Sequence, residues 1–560
     1  MTYEQTYSVF NLLSQMSSPT DKLFSLNDDY NTINNLPESI NNSSESINNS
    51  PESINNLPES VNNSSESINN LPESINNSSE FINSEFKDLI FNSDNYILID
   101  TESDSCVSSF EVKPKKYSII DYEKNRNLKC NRSLENNVYL RPIIIYDKFI
   151  NLYSKGLLHD KNGYVNVNEM YNFLMRLERR DIDSLSEYKF DKISLSLSDD
   201  IIGNYNNTYR YSSLPSLNDH QLIMDMIQLY CMSLCRDIPF KDYISDSLIK
   251  KCVFSKSTNV GNIFRGPIGS CIQGCYISQF LYVDINTGFF VQKQLYDTFV
   301  RDYMKTSEES IAVQNGNFSN ESIQSKKRYI ITGRDIAHYV HSEDHYQTGY
   351  NTSLILFDLK VPLNYPFDKN TIHSFIFQII NKALMVSSYH KWNSLFLRPE
   401  AYSIQINNSI CKEILMNPVM KKLKSINGNY LLTQVYPEAS PLSPSTPSNA
   451  ATVIGASVTV LKFFFDNNYE LNVYEPDNDG QNLIDTKKKT CVGDELNKLA
   501  FNISFGRNWA GVNYIMDSIR GLKLGETIAI SCLKDIIKYY PFKIKVMFQK
   551  FNNKSCIITN

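Results

Sequence analysis

A chain of 560 residues with 41% hydrophobic and 12% aromatic side chains has the means to bury a sizeable core, and its length points to two to four domains. Its net charge of −6 and lack of any basic block exclude recognition of a nucleic-acid backbone, which needs clustered Lys and Arg. Eleven cysteines, an odd number, exclude complete pairing within the chain.

The N-terminus, Met-Thr-Tyr-Glu-Gln-Thr, has neither a basic flank nor an apolar core, so no signal peptide is expected. Residues 31–82 form a seven-residue repeat in which Asn-Asn-Leu-Pro-Glu-Ser-Ile and Asn-Asn-Ser-Ser-Glu-Ser-Ile alternate. One apolar position per repeat is too few for a coiled-coil seam, and Pro37, Pro51, Pro58 and Pro72 would each break a helix. Residues 1–90 therefore read as a disordered low-complexity arm, with 91–139 as a lead-in and 140–540 as the globular body. A stacked or partner-templated repeat that tethers the chain in a larger assembly is the sharper reading of the arm.

Within the body, the segment around Gly163 tempts an EF-hand reading, with Asp160, Asn162 and Glu169 at loop positions 3, 5 and 12. Position 1 would be Leu158, which cannot ligate calcium. Cys231/Cys235 and Cys271/Cys275 lack zinc spacing and read as buried small residues in a reducing compartment. Ile223, Met226, Ile227, Tyr230, Cys231 and Leu234 repeat at helical spacing, and Pro239 stops that helix. His338, His341 and His345 stand at i, i+3 and i+7 and would share one helix face, yet without convergent ligands from other elements they predict no metal site. Ile376, Ile379, Ile380, Ala383, Leu384 and Ser387 set another helical face, followed by His390-Lys391-Trp392 and Arg398-Pro399-Glu400.

Between Pro437 and Pro447 lie four prolines in eleven residues, which force an extended, turning chain. A small-residue apolar run then starts at Ala450 and predicts a buried helix to Phe465. It holds Lys462 and is too short to span a bilayer, so no membrane span is expected. Ser448 sits where an N-cap belongs, and the first amides of such a helix favour phosphate or a similar oxyanion. Residues 467–490 read as polar loop, 495–502 restart a helix, and 541–560 form a basic, β-leaning tail.

These words also resemble a family. Tyr436-Pro-Glu-Ala-Ser-Pro-Leu-Ser-Pro-Ser-Thr-Pro-Ser448-Asn449-Ala450-Ala-Thr452 is similar to the second signature of vanadium-dependent haloperoxidases and type 2 acid phosphatases (the PAP2 superfamily). Lys391-Trp392…Arg398-Pro-Glu400 resembles the first signature, and Gly506-Arg507…Ala510-Gly-Val-Asn513…Asp517 the third. Tyr153–Asp160, Met232–Phe240, Ile331–His341 and Gly521–Glu526 resemble segments of the bromoperoxidase branch in the right order, so the likeness covers roughly 140–540.

The resemblance implies a mainly α fold of two helical bundles with the site between helices, and a homo-oligomer. It also implies an oxyanion cradle, here Lys391, Arg398, Ser448, Asn449 and Arg507, for vanadate or phosphate if the cradle is intact. The gap from Lys391 to Arg398 is one residue shorter than the family's, a rotation of about 100° on a regular helix. Either a local bulge or His390 in the place of Lys391 would absorb it. Ala450 and Asn513 occupy the positions of the family's acid–base histidine and its vanadium ligand or nucleophile. A methyl group moves no proton, and an amide forms no phosphoryl intermediate. The sequence therefore reads as a catalytically inactive haloperoxidase-like protein with a structural or oxyanion-binding role, without cofactor or metal, located inside the cell or in an assembled particle. The alternative is an active haloperoxidase or phosphatase using a relocated histidine such as His390.

Overall fold

The computed structural model describes residues 152–560, apart from 180–181, 192–208, 250–276, 319–324, 409–411 and a few isolated positions. The repeat arm and the lead-in lie outside the described residues. In chain order, α1 is Val167–Arg179 and α2 is His220–Cys235. The short pair β1 (Ile285–Asn286) and β2 (Val291–Gln292) comes next, and β3 (Tyr296–Thr298) pairs with β4 (Lys326–Arg328) around α3 (Ser307–Gln314). Then come α4 (Gly333–Ser342), α5 (Gln347–Asp358), α6 (Lys369–Ser394), α7 (Pro399–Asn407) and α8 (Pro418–Asn427). Helix α9 (Asn449–Phe464) precedes an antiparallel hairpin of β5 (Glu470–Pro476) and β6 (Leu483–Cys491). The chain closes with α10 (Val492–Ala510), α11 (Ile515–Ile537) and a second hairpin, β7 (Lys545–Gln549) and β8 (Ser555–Thr559). The architecture is mainly α, as the sequence implied, and the described strands occur only in antiparallel pairs.

Helix α9 is the axis of the core. Every residue from Ala450 to Phe464 is buried, as befits a helix apolar on all sides. It packs on α11, α10, α6 and α5. Its approach to α11 is a main-chain contact: a Cβ added to Gly525 would lie 1.9 Å from the Thr452 carbonyl oxygen, and one on Gly455 would lie 2.5 Å from that of Leu522. Among the described residues, no helix is long and apolar enough to cross a membrane.

Three local expectations need correction. The helix expected to run on to Pro239 ends at Cys235. The polar stretch 467–490 is a loop only at its centre. Its flanks pair as β5 and β6, with Leu471 and Val473 turned inward. Helix α4 stops at Ser342, so His345 does not share a helix face with His338 and His341.

Candidate functional site

The site forms where three chain reversals meet. Lys391 lies in the last turn of α6, which ends at Leu395 in the left-handed region (φ 48°). Arg398 then serves as N-cap of α7, with Pro399 in its first turn. Between Lys391 and Arg398, Trp392–Ser394 finish α6 and Leu395–Leu397 form a non-helical link. The proline-rich loop runs alongside, its Ser445 amide donating to the Phe396 carbonyl at 3.0 Å. It ends in Ser448, the N-cap of α9, whose hydroxyl accepts from the Ala451 amide at 3.4 Å. The third reversal is Gly511 (φ 85°), which ends α10 and hands the chain through Val512 and Asn513 to α11.

Three of the predicted residues converge on the loop. The Lys391 ammonium donates to the carbonyls of Pro444 (2.8 Å) and Ser445 (3.0 Å). Arg398 donates from Nε to the Ser443 carbonyl (2.8 Å), from Nη2 to the Ser443 hydroxyl (3.2 Å) and from Nη1 to the Val512 carbonyl (2.9 Å). The Asn513 amide donates to the same Ser445 carbonyl (2.7 Å) and to Asp517 Oδ2 (3.1 Å). All of these groups are buried. Burial pulls the Arg398 guanidinium below its usual value, opposed first by Glu400, and Arg507 is near enough to add to the depression.

Asp517 ties the cluster together. Besides Asn513, its Oδ2 accepts from the Ser445 hydroxyl (2.6 Å) and the Tyr514 amide (2.9 Å), which ties the first turn of α11 to the loop. The roles of Ser443, Ser445 and Asp517 were missed from sequence.

Asn449 and Arg507 face elsewhere. The Asn449 side-chain oxygen accepts from Ser387 at 2.6 Å. Arg507 is half-buried with its guanidinium 6.0 Å from the ring centre of Tyr436, and it shares a pocket with Ala450.

Nor does His390 take the place of Lys391. It stacks on Tyr211 (centroids 5.2 Å apart), and burial lowers its pKa to about 4. His341 bonds Glu438, and His338 reaches the Phe299 carbonyl at 3.3 Å. His345 lines the pocket that holds Ala450 and Arg507. Among the described residues, no three His, Cys, Asp or Glu side chains gather as a metal site. In the former EF-hand candidate, Asp160 instead accepts the amides of Asn162 (2.8 Å) and Tyr164 (3.0 Å), closing an ordinary turn.

No family profile matches the chain. It is 26% identical over 521 residues to a vanadium-dependent bromoperoxidase of Corallina officinalis, covering 69% of this chain and 87% of the relative. To the vanadium-dependent bromoperoxidase of Ascophyllum nodosum it is 29% identical over 403 residues, covering 61% and 72%. The solved homohexameric second vanadate-dependent bromoperoxidase of Ascophyllum nodosum shares the fold, with a TM-score of 0.66 over 82% of this chain and 93% of that one at 20% identity. Sequence relatives and a helical neighbour thus agree with the three signature segments that meet around Ser445: the chain is similar in sequence to vanadium-dependent bromoperoxidases and shares the fold of one of them.

Proposed function

We propose that this chain is a catalytically silent haloperoxidase-like protein whose oxyanion cradle is closed by its own loop. One observation carries the reading: the donors that would hold an oxyanion are spent on main-chain carbonyls. Lys391 is directed at Pro444 and Ser445, Arg398 at Ser443 and Val512, and Asn513 at Ser445. An oxyanion placed among them would face carbonyl oxygens and the Asp517 carboxylate, which repel it. In this arrangement the residues do not fit vanadate or phosphate. With Ala450 and Asn513 where the family carries histidines, neither proton transfer nor ligation of the central atom has a side chain to perform it. What remains is a helical body with a structural role. One solved neighbour, the second vanadate-dependent bromoperoxidase of Ascophyllum nodosum, is a homohexamer, which supports a homo-oligomer here. Sedimentation of the full chain and of a form lacking residues 1–90 tests whether the repeat arm takes part, and an unchanged assembly state removes it.

A second reading, an active haloperoxidase or phosphatase with a relocated histidine, draws support from His345 on the Ala450 pocket. Calorimetric titration with orthovanadate, with bromide peroxidation assayed alongside, separates the two. The silent reading expects neither binding nor turnover in the wild type. Turnover abolished by H345A would establish the second reading instead. Vanadate binding by the A450H/N513H variant would show that the loop opens once a ligand for the central atom is restored.

A further inference from the structure

Away from the cradle, four elements converge on one buried amine. Lys462, in the last turn of α9, donates from Nζ to the side-chain oxygen of Asn497 on α10 at 2.5 Å. The same nitrogen donates to the Gln549 carbonyl at the end of β7 at 3.1 Å. The ring centre of Phe551, in the turn between β7 and β8, lies 4.6 Å from it. Glu526 approaches from α11, and its Oε1 accepts from the amide of that same Phe551 at 2.8 Å. Lys462, Asn497, Glu526 and Phe551 are all buried. A second buried ammonium, Lys155, shows the contrast: it donates straight to the Glu400 carboxylate at 3.3 Å, an ordinary ion pair. Lys462 instead meets the carbonyl of a neutral amide.

We propose that Lys462 and Asn497 join in an intramolecular isopeptide bond, with Glu526 as the acid–base group. With Oδ1 at 2.5 Å and a C=O bond of about 1.23 Å, the amide carbon lies no further than about 3.7 Å from the amine, at the edge of attack distance. Burial lowers the Lys462 ammonium to about 8, with Glu526 first among the charges that oppose the shift. Burial likewise raises the Glu526 carboxyl, with Lys462 first among the charges that oppose it. The site therefore favours a neutral amine and a protonated acid, a nucleophile beside a proton donor. In the step itself the Nζ lone pair attacks Asn497 Cγ, and Glu526 gives its proton to Oδ1. The Glu526 carboxylate then takes a proton from Nζ and passes it to Nδ2, the Cγ–Nδ2 bond breaks, and ammonia leaves as the carbonyl reforms. One amine and one primary amide become one secondary amide and one ammonia, with no oxidant or reductant. The product ties α9 to α10 across 35 residues of chain, constraining the unfolded state as a disulfide does. A free Lys462 amine titrates and an amide does not, so any pH response of stability from Lys462 belongs to the chain before the bond closes. Nothing here depends on the donors gathered at Ser445.

Intact-mass measurement of the denatured full chain tests the bond directly. The wild type is expected to weigh about 17 Da less than its sequence requires, the mass of one ammonia. A protease digest is expected to yield one branched peptide joining Lys462 to Asn497. N497A, K462R and E526Q are each expected at full sequence mass with no branched peptide. Full sequence mass in the wild type overturns the proposal and leaves an ordinary buried hydrogen bond. So does a loss of about 17 Da with unlinked peptides, the mark of an asparagine cyclised on its own backbone. A branched peptide in E526Q at the wild-type level overturns the role given to Glu526. The wild type alone can refute the bond, so the result does not hang on whether a variant folds.

Discussion

Lys391 offers a direct way to ask whether the cradle's cations are spent on the loop or reserved for an anion. Its ammonium serves two carbonyls, and one of them, Ser445, is shared with Asn513. In K391M the aliphatic stem is kept and the charge removed. Ser445 retains the Asn513 amide, so the main penalty is the loss of Lys391 from Pro444, about 1–3 kcal/mol for a buried acceptor left short of a partner. Relief of a buried charge offsets part of it, and a net loss of about 2 kcal/mol is expected. In N513A the Ser445 carbonyl keeps Lys391 and Asp517 keeps Ser445 and Tyr514, so the cost is about 1 kcal/mol, that of a typical hydrogen bond. In the double variant Ser445 loses both donors. The combined cost should therefore exceed the sum of the singles by about 1 kcal/mol or more. Urea midpoints for the four proteins, at equal slope, measure the cycle. Additivity within about 0.5 kcal/mol would refute the shared acceptor. A K391M protein more stable than wild type would show an ammonium held against the fold's interest, as a ligand-binding group is.

Three further outcomes follow from other parts of the molecule. G525A drives a Cβ into the Thr452 carbonyl and should cost more than about 4 kcal/mol, whereas G288A, strained by φ +82° but open around the Cβ, should cost about 1 kcal/mol. Denaturation midpoints decide, and similar losses would contradict the seam. Burial lowers the pKa of Lys462 to about 8 from 10.5, so between those values the unfolded chain binds more protons and stability rises with pH, by about 3 kcal/mol in all. K462M should flatten that rise, and an identical pH profile would contradict the burial. His338 and His390 are both lowered to about 4 from 6.5, which adds stability above pH 6.5 that is lost as pH falls through 4. Their imidazole NMR signals should stay neutral at pH 5.5, and a midpoint near 6.5 for either would contradict its placement.

Much of this was legible from residues alone, for physical reasons that differ from place to place. Helix α9 was expected from Ala450 to Phe465 behind a Ser448 cap and runs from Asn449 to Phe464 with that cap made, because a proline run and a small apolar run leave the backbone little choice. The identities of Lys391, Arg398 and Asn513 as neighbours followed from the signatures. Their direction did not, because the orientation of the carbonyls at 443–445 has no side-chain signal. Asp517 was read only as a matching residue of the third signature, and it is the hydrogen bonds its buried carboxylate accepts that mark it as the hub. His345 was misplaced because helical spacing was carried past the end of α4. β6 was overlooked because Lys487, Lys488 and Lys489 suit solvent, and it is pairing with β5 that makes them a strand.

The contact between α9 and α11 bears on how such a protein drifts. Where Thr452 meets Gly525 and Leu522 meets Gly455, backbone touches backbone, and a Cβ on Gly521 would lie 2.9 Å from the Ser448 carbonyl. A joint of this kind holds no reactive side chain that selection on chemistry could alter. A seam of this kind fixes the distance between two helices through their main chains, so the scaffold's geometry and the chemistry of the side chains it carries are set by different residues.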